Sequence, residues 1–379
     1  MLGHPRVNRA FDTIIVGAGI VGAACADACA RAGLRVLVLD RGCIGGGTTA
    51  AGMGHIVVMD DSEAQFALTA FSRRLWLELR PELPANVEYE TCGTLWIASD
   101  AEEFALTQLK AEFYTTRGVR AEIVNEAELR RLEPNLRPGL AGALRVPEDG
   151  VLYPPCAARF LLDRARTHGA ELRTGQAVHE LLPTGGVCLD DGTRIAARLS
   201  VNATGASAPV LAPDLPVRPR KGHLVITDRH PGFVKHQLVE LGYLKSAHGA
   251  NQDSVAFNIQ PRKTGQMLIG SSRQYDAPSK PVDQPILDRM LNRAIEFMPT
   301  LGALAATRIW TGDRAATPDK LPLIGPSPAN DRVWLATGHE GLGITTSLGT
   351  GRLLADQIMG RHTEIPIEPY LPRRFARAD

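Results

Sequence analysis

The chain has 379 residues, 44% of them hydrophobic, which suffices for two or three domain-sized units with real cores. Lys+Arg number 42 against Asp+Glu 41, a net charge of +1, and no basic block stands out, so neither the balance nor its pattern implies nucleic acid as a partner. The six cysteines are scattered without metal-ligand spacing, so no disulfide framework, metal site or iron–sulfur cluster is expected within the chain.

The first ten residues, MLGHPRVNRA, carry no apolar core of a signal peptide, and nothing reaches the roughly 20 apolar residues of a membrane span, so the expected compartment is the cytoplasm. Thr13 to Val16 is β-branched and apolar without polar alternation, the pattern of a parallel strand buried on both faces. Gly17, Gly19 and Gly22 follow as G-x-G-x-x-G. In that pattern the first glycine allows a tight turn, the second lets the backbone approach a pyrophosphate, and the third brings the helix close to the strand. An alanine- and cysteine-rich helix comes next, with Cys25 and Cys29 as small buried thiols and Gly33 placed to end it. The strand from Arg35 to Leu39 then delivers Asp40, whose carboxylate can accept hydrogen bonds from ribose hydroxyls and argues against a 2′-phosphate.

Arg41 to His55 (RGCIGGGTTAAGMGH) is rich in glycine and hydroxyls. A nicotinamide dehydrogenase does not need such a loop, whereas a longer flavin nucleotide needs a second stretch of backbone donors. The loop resembles the one that follows the ribose-binding acid in the D-amino-acid oxidase superfamily of FAD enzymes, which holds glycine oxidase, sarcosine oxidase and D-amino-acid dehydrogenases. Beyond it the spacing predicts helices over Ser62 to Leu79, Glu102 to Thr116, Glu126 to Leu132 and Ala157 to Thr167, and a strand over Tyr89 to Ile97. Gln176 to Leu181 reads as a strand, and Asp191-Gly192 as the turn of a hairpin. Ala203-Thr204-Gly205 resembles the A-T-G strand end of many flavoproteins, and Pro219 to His223 the family's P-x-K-G-Q turn with His223 in place of glutamine. His223 to Thr227, Val255 to Ile259 and Gln266 to Gly270 are strand-like, and Asp283 to Phe297 is helical. Gly312 to Gly325 resembles the G-x-R…T-P-D-x-x-P-x-I-G signature of the same superfamily. A strand at Val333 to Thr337, the loop Gly338 to Gly343 and a helix from Ile344 to Met359 close the chain's readable part.

The resemblance implies an α/β protein of the two-dinucleotide-binding-fold type. It would have a discontinuous Rossmann-like FAD domain (11–80, 150–209 and 311–365) and an α+β substrate domain with an antiparallel sheet (81–149 and 210–310). Implied cofactor contacts are Gly17, Gly19, Ile20, Gly22, Asp40, Arg41, Thr48, Thr49, Met53, Gly54, Val178, Gly205, His339, Gly341, Leu342, Gly343, Ile344 and Thr345. Substrate contacts would come from Arg314, Tyr243 and His55, with Arg314 as carboxylate anchor and no general base named. The implied reaction is hydride transfer from a carbon–nitrogen bond to FAD. Thr48 to His55, Gly242 to Ser246 and Trp310 to Pro326 look most like the β subunits of D-hydroxyproline dehydrogenases. That implies a cyclic D-imino acid such as cis-4-hydroxy-D-proline as substrate and other subunits as electron-accepting partners. Glycine or sarcosine oxidation, another D-amino-acid dehydrogenase activity, a nicotinamide dehydrogenase and a non-catalytic flavoprotein subunit stay open, as does covalent flavin attachment at Cys43, His55 or His339.

Overall fold

The computed structural model describes residues 11–242, 253–275, 277 and 281–376. Its contacts divide the chain into two compact units: Met1–Ala50, Pro154–Arg218 and Ala315–Asp379 form the first, Ala51–Tyr153 and Pro219–Arg314 the second.

The first unit is built on a six-stranded sheet in the order Leu323–Ser327, Asn330–Thr337, Ala197–Asn202, Phe11–Val16, Val36–Asp40, Glu171–Thr174. Neighbours run parallel except the Leu323–Ser327 edge, which pairs antiparallel with Asn330–Thr337. Ile14, Ile15, Leu37 and Leu39 are fully buried, as unbroken apolar strands require when both faces are covered. Helix Ile20–Arg31 follows the glycine turn, and Gly33 (φ +89°) ends it in the left-handed conformation. Helix Gly343–Ile358 lies so close to it that a Cβ on Gly351 would stand 2.4 Å from Ala24 O. The Asp191-Gly192 turn joins strands Val187–Leu189 and Arg194–Ile195 in an antiparallel three-stranded sheet with Val178–Leu181.

The second unit holds an eight-stranded sheet. It is mixed, which corrects the antiparallel expectation: Gln237–Glu240 pairs parallel with Thr94–Ala98, while the other recorded pairs are antiparallel. The parallel seam joins the unit's two chain segments, so no hairpin connects the strands and nothing forces them to reverse direction. Helix Gln284–Phe297 covers the sheet through Phe297, stacked on Phe257 at 4.5 Å. The strand expected from Tyr89 begins only at Thr94, because Glu90 bonds instead to Val151. Residues 51–80, expected with the cofactor domain, group with the second unit. Arg73 on helix Glu63–Leu79 is paired there with Asp149 and Glu148, and Tyr114 Oη donates to Val58 O. Among the described residues no helix is long and apolar enough to cross a membrane.

Candidate active site

In the first unit a cradle surrounds the glycine turn. Gly17 has φ +113°, and a Cβ there would meet Ala203 O at 2.6 Å; one on Gly22 would meet Gly17 O at 1.9 Å. Neither position admits a side chain. Gly19 is the N-cap of helix Ile20–Arg31, with no capping side chain and no acid in the first turn. Leu342 likewise starts helix Gly343–Ile358 with no side-chain cap. By contrast Ser62, Asp100, Asn125 and Asp283 each cap their own helix through a side-chain oxygen. Both helices thus start at glycine-rich loops with no acid in the first turn, so their positive dipole ends carry no side-chain charge there, the arrangement that takes an anion.

The second glycine loop is tied to the first. Gly45 N donates to Ala18 O (2.9 Å), and buried Thr49 accepts from Ile20 N at Oγ1 (2.9 Å), leaving its own hydroxyl proton to donate. Thr48 and Thr49 sit in a helical turn, Thr48–Ala51, where the sequence reads as loop. Asp40 accepts from Ala18 N at Oδ2 and from Gly42 N at Oδ1, both 2.7 Å, so it pins both loops and keeps a lone pair on each oxygen for hydroxyls. Arg41, Thr48 and Gly341 are exposed, Ile344 is half-buried and Thr345 buried. Gly205 (φ +60°) accepts from Thr337 Oγ1 (3.0 Å), and Val178 packs on the cluster that holds Phe11, Val16, Leu39 and Leu189. His339 is buried with Nε2 3.0 Å from Thr350 Oγ1, and burial alone pushes its pKa down to about 3.

The second unit gathers the residues expected at the reacting end. Met53 is buried with Leu224 and Leu268, and Ile226 and Trp310 pack against them. Gly270 makes room, since a Cβ there would stand 2.9 Å from Leu224 Cδ2 and 3.2 Å from Met53 Sδ. Gly54 (φ +105°) accepts from Leu152 N, and His55 pairs with Val151 in a two-residue strand. Gln260 donates from Nε2 to Met53 O (2.7 Å). Burial first, then the charge of Arg314, hold the His55 pKa down to about 4 against an opposing hydrogen bond with Gln260, so the imidazole is neutral. Arg314 is half-buried and donates from Nη1 to Ser272 O (2.9 Å). His223 accepts from Asp283 N at Nε2 (3.0 Å), so its proton sits on Nδ1, 2.9 Å from Ser272 Oγ. Tyr243, expected beside Arg314, lies outside the described residues. Gln260 and Ser272 were not legible as site residues. A buried amide ending an apolar strand is the only sequence signal for Gln260, and Ser272 acts through its carbonyl, which no side-chain pattern encodes.

A glycine turn that no Cβ fits, two helices starting at glycine-rich loops without an acid in the first turn, and a carboxylate closing the second strand are the features of a dinucleotide-binding protein. The sequence model of the DAO family, described as FAD dependent oxidoreductase, matches residues 12–357. The hydrogen cyanide synthase subunit HcnC of Pseudomonas aeruginosa is 27% identical over 97% of each chain. A D-amino acid dehydrogenase of Paramagnetospirillum magneticum is 29% identical over 81% of this chain and 72% of its own. Among solved structures, glycine oxidase from Geobacillus kaustophilus superposes with TM-score 0.86 at 27% identity, covering 97% of this chain and 99% of that one. The chain belongs to the DAO family of FAD-dependent oxidoreductases, and its cofactor is FAD. The cradle fits that group: backbone donors at both helix starts suit its phosphates and the electron-rich end of its ring, and Asp40 suits its ribose.

Proposed function

We propose that the chain oxidises the carbon–nitrogen bond of a small cyclic D-imino acid, such as cis-4-hydroxy-D-proline, as a dehydrogenase subunit. The observation that carries the reading is Arg314. Its guanidinium is tethered to Ser272 O in the same unit as the apolar cluster of Met53, Leu224, Leu268, Ile226 and Trp310 and the neutral imidazole of His55. A guanidinium binds a carboxylate through two parallel hydrogen bonds, fixing orientation as well as position. An apolar wall suits a compact ring, and a neutral imidazole can bond a ring hydroxyl without adding a second positive charge. The same cation and the low polarity around it lower the pKa of a bound substrate amine, easing the loss of its proton. Bound FAD supplies the acceptor for the α-hydrogen, which leaves as hydride, so that the substrate becomes an imine that water hydrolyses.

The resemblance of Thr48 to His55, Gly242 to Ser246 and Trp310 to Pro326 to D-hydroxyproline dehydrogenase β subunits supports the cyclic substrate. That a relative is a hydrogen cyanide synthase subunit supports work in a heteromeric complex, with partner chains rather than oxygen taking the electrons. The likeness to glycine oxidase favours a second reading, oxidation of glycine or sarcosine. An anaerobic panel of D-proline, cis-4-hydroxy-D-proline, glycine, sarcosine and acyclic D-amino acids, scored by bleaching of the flavin, separates them. Fastest bleaching by the cyclic D-imino acids is expected. Bleaching by glycine or sarcosine alone overturns the cyclic substrate, and no bleaching by any of them points to a non-catalytic subunit. Rapid stoichiometric peroxide from the lone chain in air overturns the dehydrogenase assignment.

A further inference from the structure

We propose that Gly222 is a positioning residue for Arg314: the missing side chain is the seat that lets the guanidinium reach the place from which it grips the substrate carboxylate. The inference rests on the carboxylate-binding reading of Arg314. A Cβ on Gly222 would stand 2.5 Å from Arg314 Nη1, 2.8 Å from Nη2 and 2.9 Å from Cζ, and these guanidinium atoms are the nearest atoms to it. All three distances are shorter than a real Cβ contact allows.

Glycine inside a strand weakens it and often marks close approach by another group. Gly222 lies inside strand Arg218–Thr227, and its φ is not in the left-handed region, so alanine fits the backbone there. What glycine provides is space. The seat is formed where the register with strand Met267–Tyr275 shifts, between Lys221 and Val225. Such irregularities re-aim side chains. Here Ser272 O faces Arg314 Nη1 at 2.9 Å, while Ser272 Oγ accepts from His223 N at 2.9 Å, fixing the carbonyl side of the clamp to the residue next to Gly222. The guanidinium is thus held by a carbonyl and by an absence of side chain. Adding one methyl moves the flexible end of the arginine rather than the sheet.

The test uses the FAD-loaded full chain as wild type, Gly222→Ala, Arg314→Leu and the double variant. D-proline kinetics are measured alongside the dissociation constant of pyrrole-2-carboxylate, read from the flavin spectrum, and the melting temperature. Gly222→Ala is expected to lower kcat/KM roughly tenfold or more, mainly through KM, and to weaken pyrrole-2-carboxylate similarly, with flavin content and melting temperature unchanged. In the Arg314→Leu background the same change should have no further effect, because the residue it acts through is gone. A fully active Gly222→Ala, or an equal loss in both backgrounds, overturns the seat while leaving Arg314 as anchor. If Arg314→Leu itself turns over D-proline and binds pyrrole-2-carboxylate normally, the anchor reading fails and the inference falls with it.

Discussion

At the scale of single residues, Arg314 and Asp40 are expected to work through different chemistry. Losing a charged bidentate contact costs several kcal/mol, so Arg314→Leu should lower kcat/KM for amino acids by roughly 10²-fold or more with FAD content intact. Normal turnover of amino acids by that variant would move the anchor elsewhere. Asp40 holds Ala18 N and Gly42 N as well as facing the cofactor's expected ribose. Asp40→Ala should therefore weaken FAD by about 1.5–3 kcal/mol, and Asp40→Asn less, because the amide oxygen still accepts. Equilibrium dialysis reads both, and unchanged retention by the alanine variant would count against this role. His339 gives a pH dependence with a definite sign. Its folded pKa of about 3 lies below the unfolded value of 6.5, so the unfolded chain binds the extra proton. Its contribution is fully present above pH 6.5 and is lost as pH falls from there toward 3. His339→Gln should flatten that acid limb of melting temperature against pH; an identical slope in both proteins would show that His339 is not the group responsible.

At the scale of elements, the strand–turn–helix–strand–acid order was legible because each position is set by local backbone need: Gly17 by its positive φ, Gly22 by contact with Gly17 O. The ends of helices 63–79 and 284–297 were legible for a similar reason, since Ser62 and Asp283 cap them. What stayed hidden depends on partners remote in sequence. The parallel seam of Thr94–Ala98 with Gln237–Glu240 joins segments more than a hundred residues apart, and neither strand's pattern encodes the direction of its neighbour. Gln260 meets Met53 O only because two strands and a glycine loop fold together. Gly351 belongs with these: its purpose is the backbone of helix Ile20–Arg31, whose Ala24 O and Cys25 N would lie 2.4 Å and 3.1 Å from a Cβ. Gly351→Val should push the two helices apart, costing about 1–3 kcal/mol as overpacking does, and should loosen FAD because both helices begin at the glycine loops expected to hold it. Denaturant unfolding with flavin release checks it, and a variant as stable as wild type would mean the helices separate without cost.

At the scale of the whole molecule, the two units are expected to depend on FAD unequally. The first is assembled from three separated chain segments, and two of its helices start at glycine-rich loops with no acid in the first turn, where their dipole ends would suit the cofactor's phosphates and ring. The second has its own core, in which Phe257 stacks on Phe297 and Leu238, Ile259 and Met290 are fully buried. A ligand that binds only the native state stabilises it by mass action, about 2.7 kcal/mol at a free concentration one hundred times its dissociation constant. That gain should concentrate where the ligand's contacts lie, because local opening draws on local contacts. Stripping FAD should therefore raise amide exchange at residues 17–22, 41–50 and 338–345 while strands Ser254–Pro261 and Met267–Tyr275 keep their protection. Exchange by mass spectrometry on apo and FAD-loaded protein reads this directly. Equal deprotection of both sets would mean that the units unfold as one, and loss confined to the second unit would place the cofactor's main contacts outside the glycine cradle.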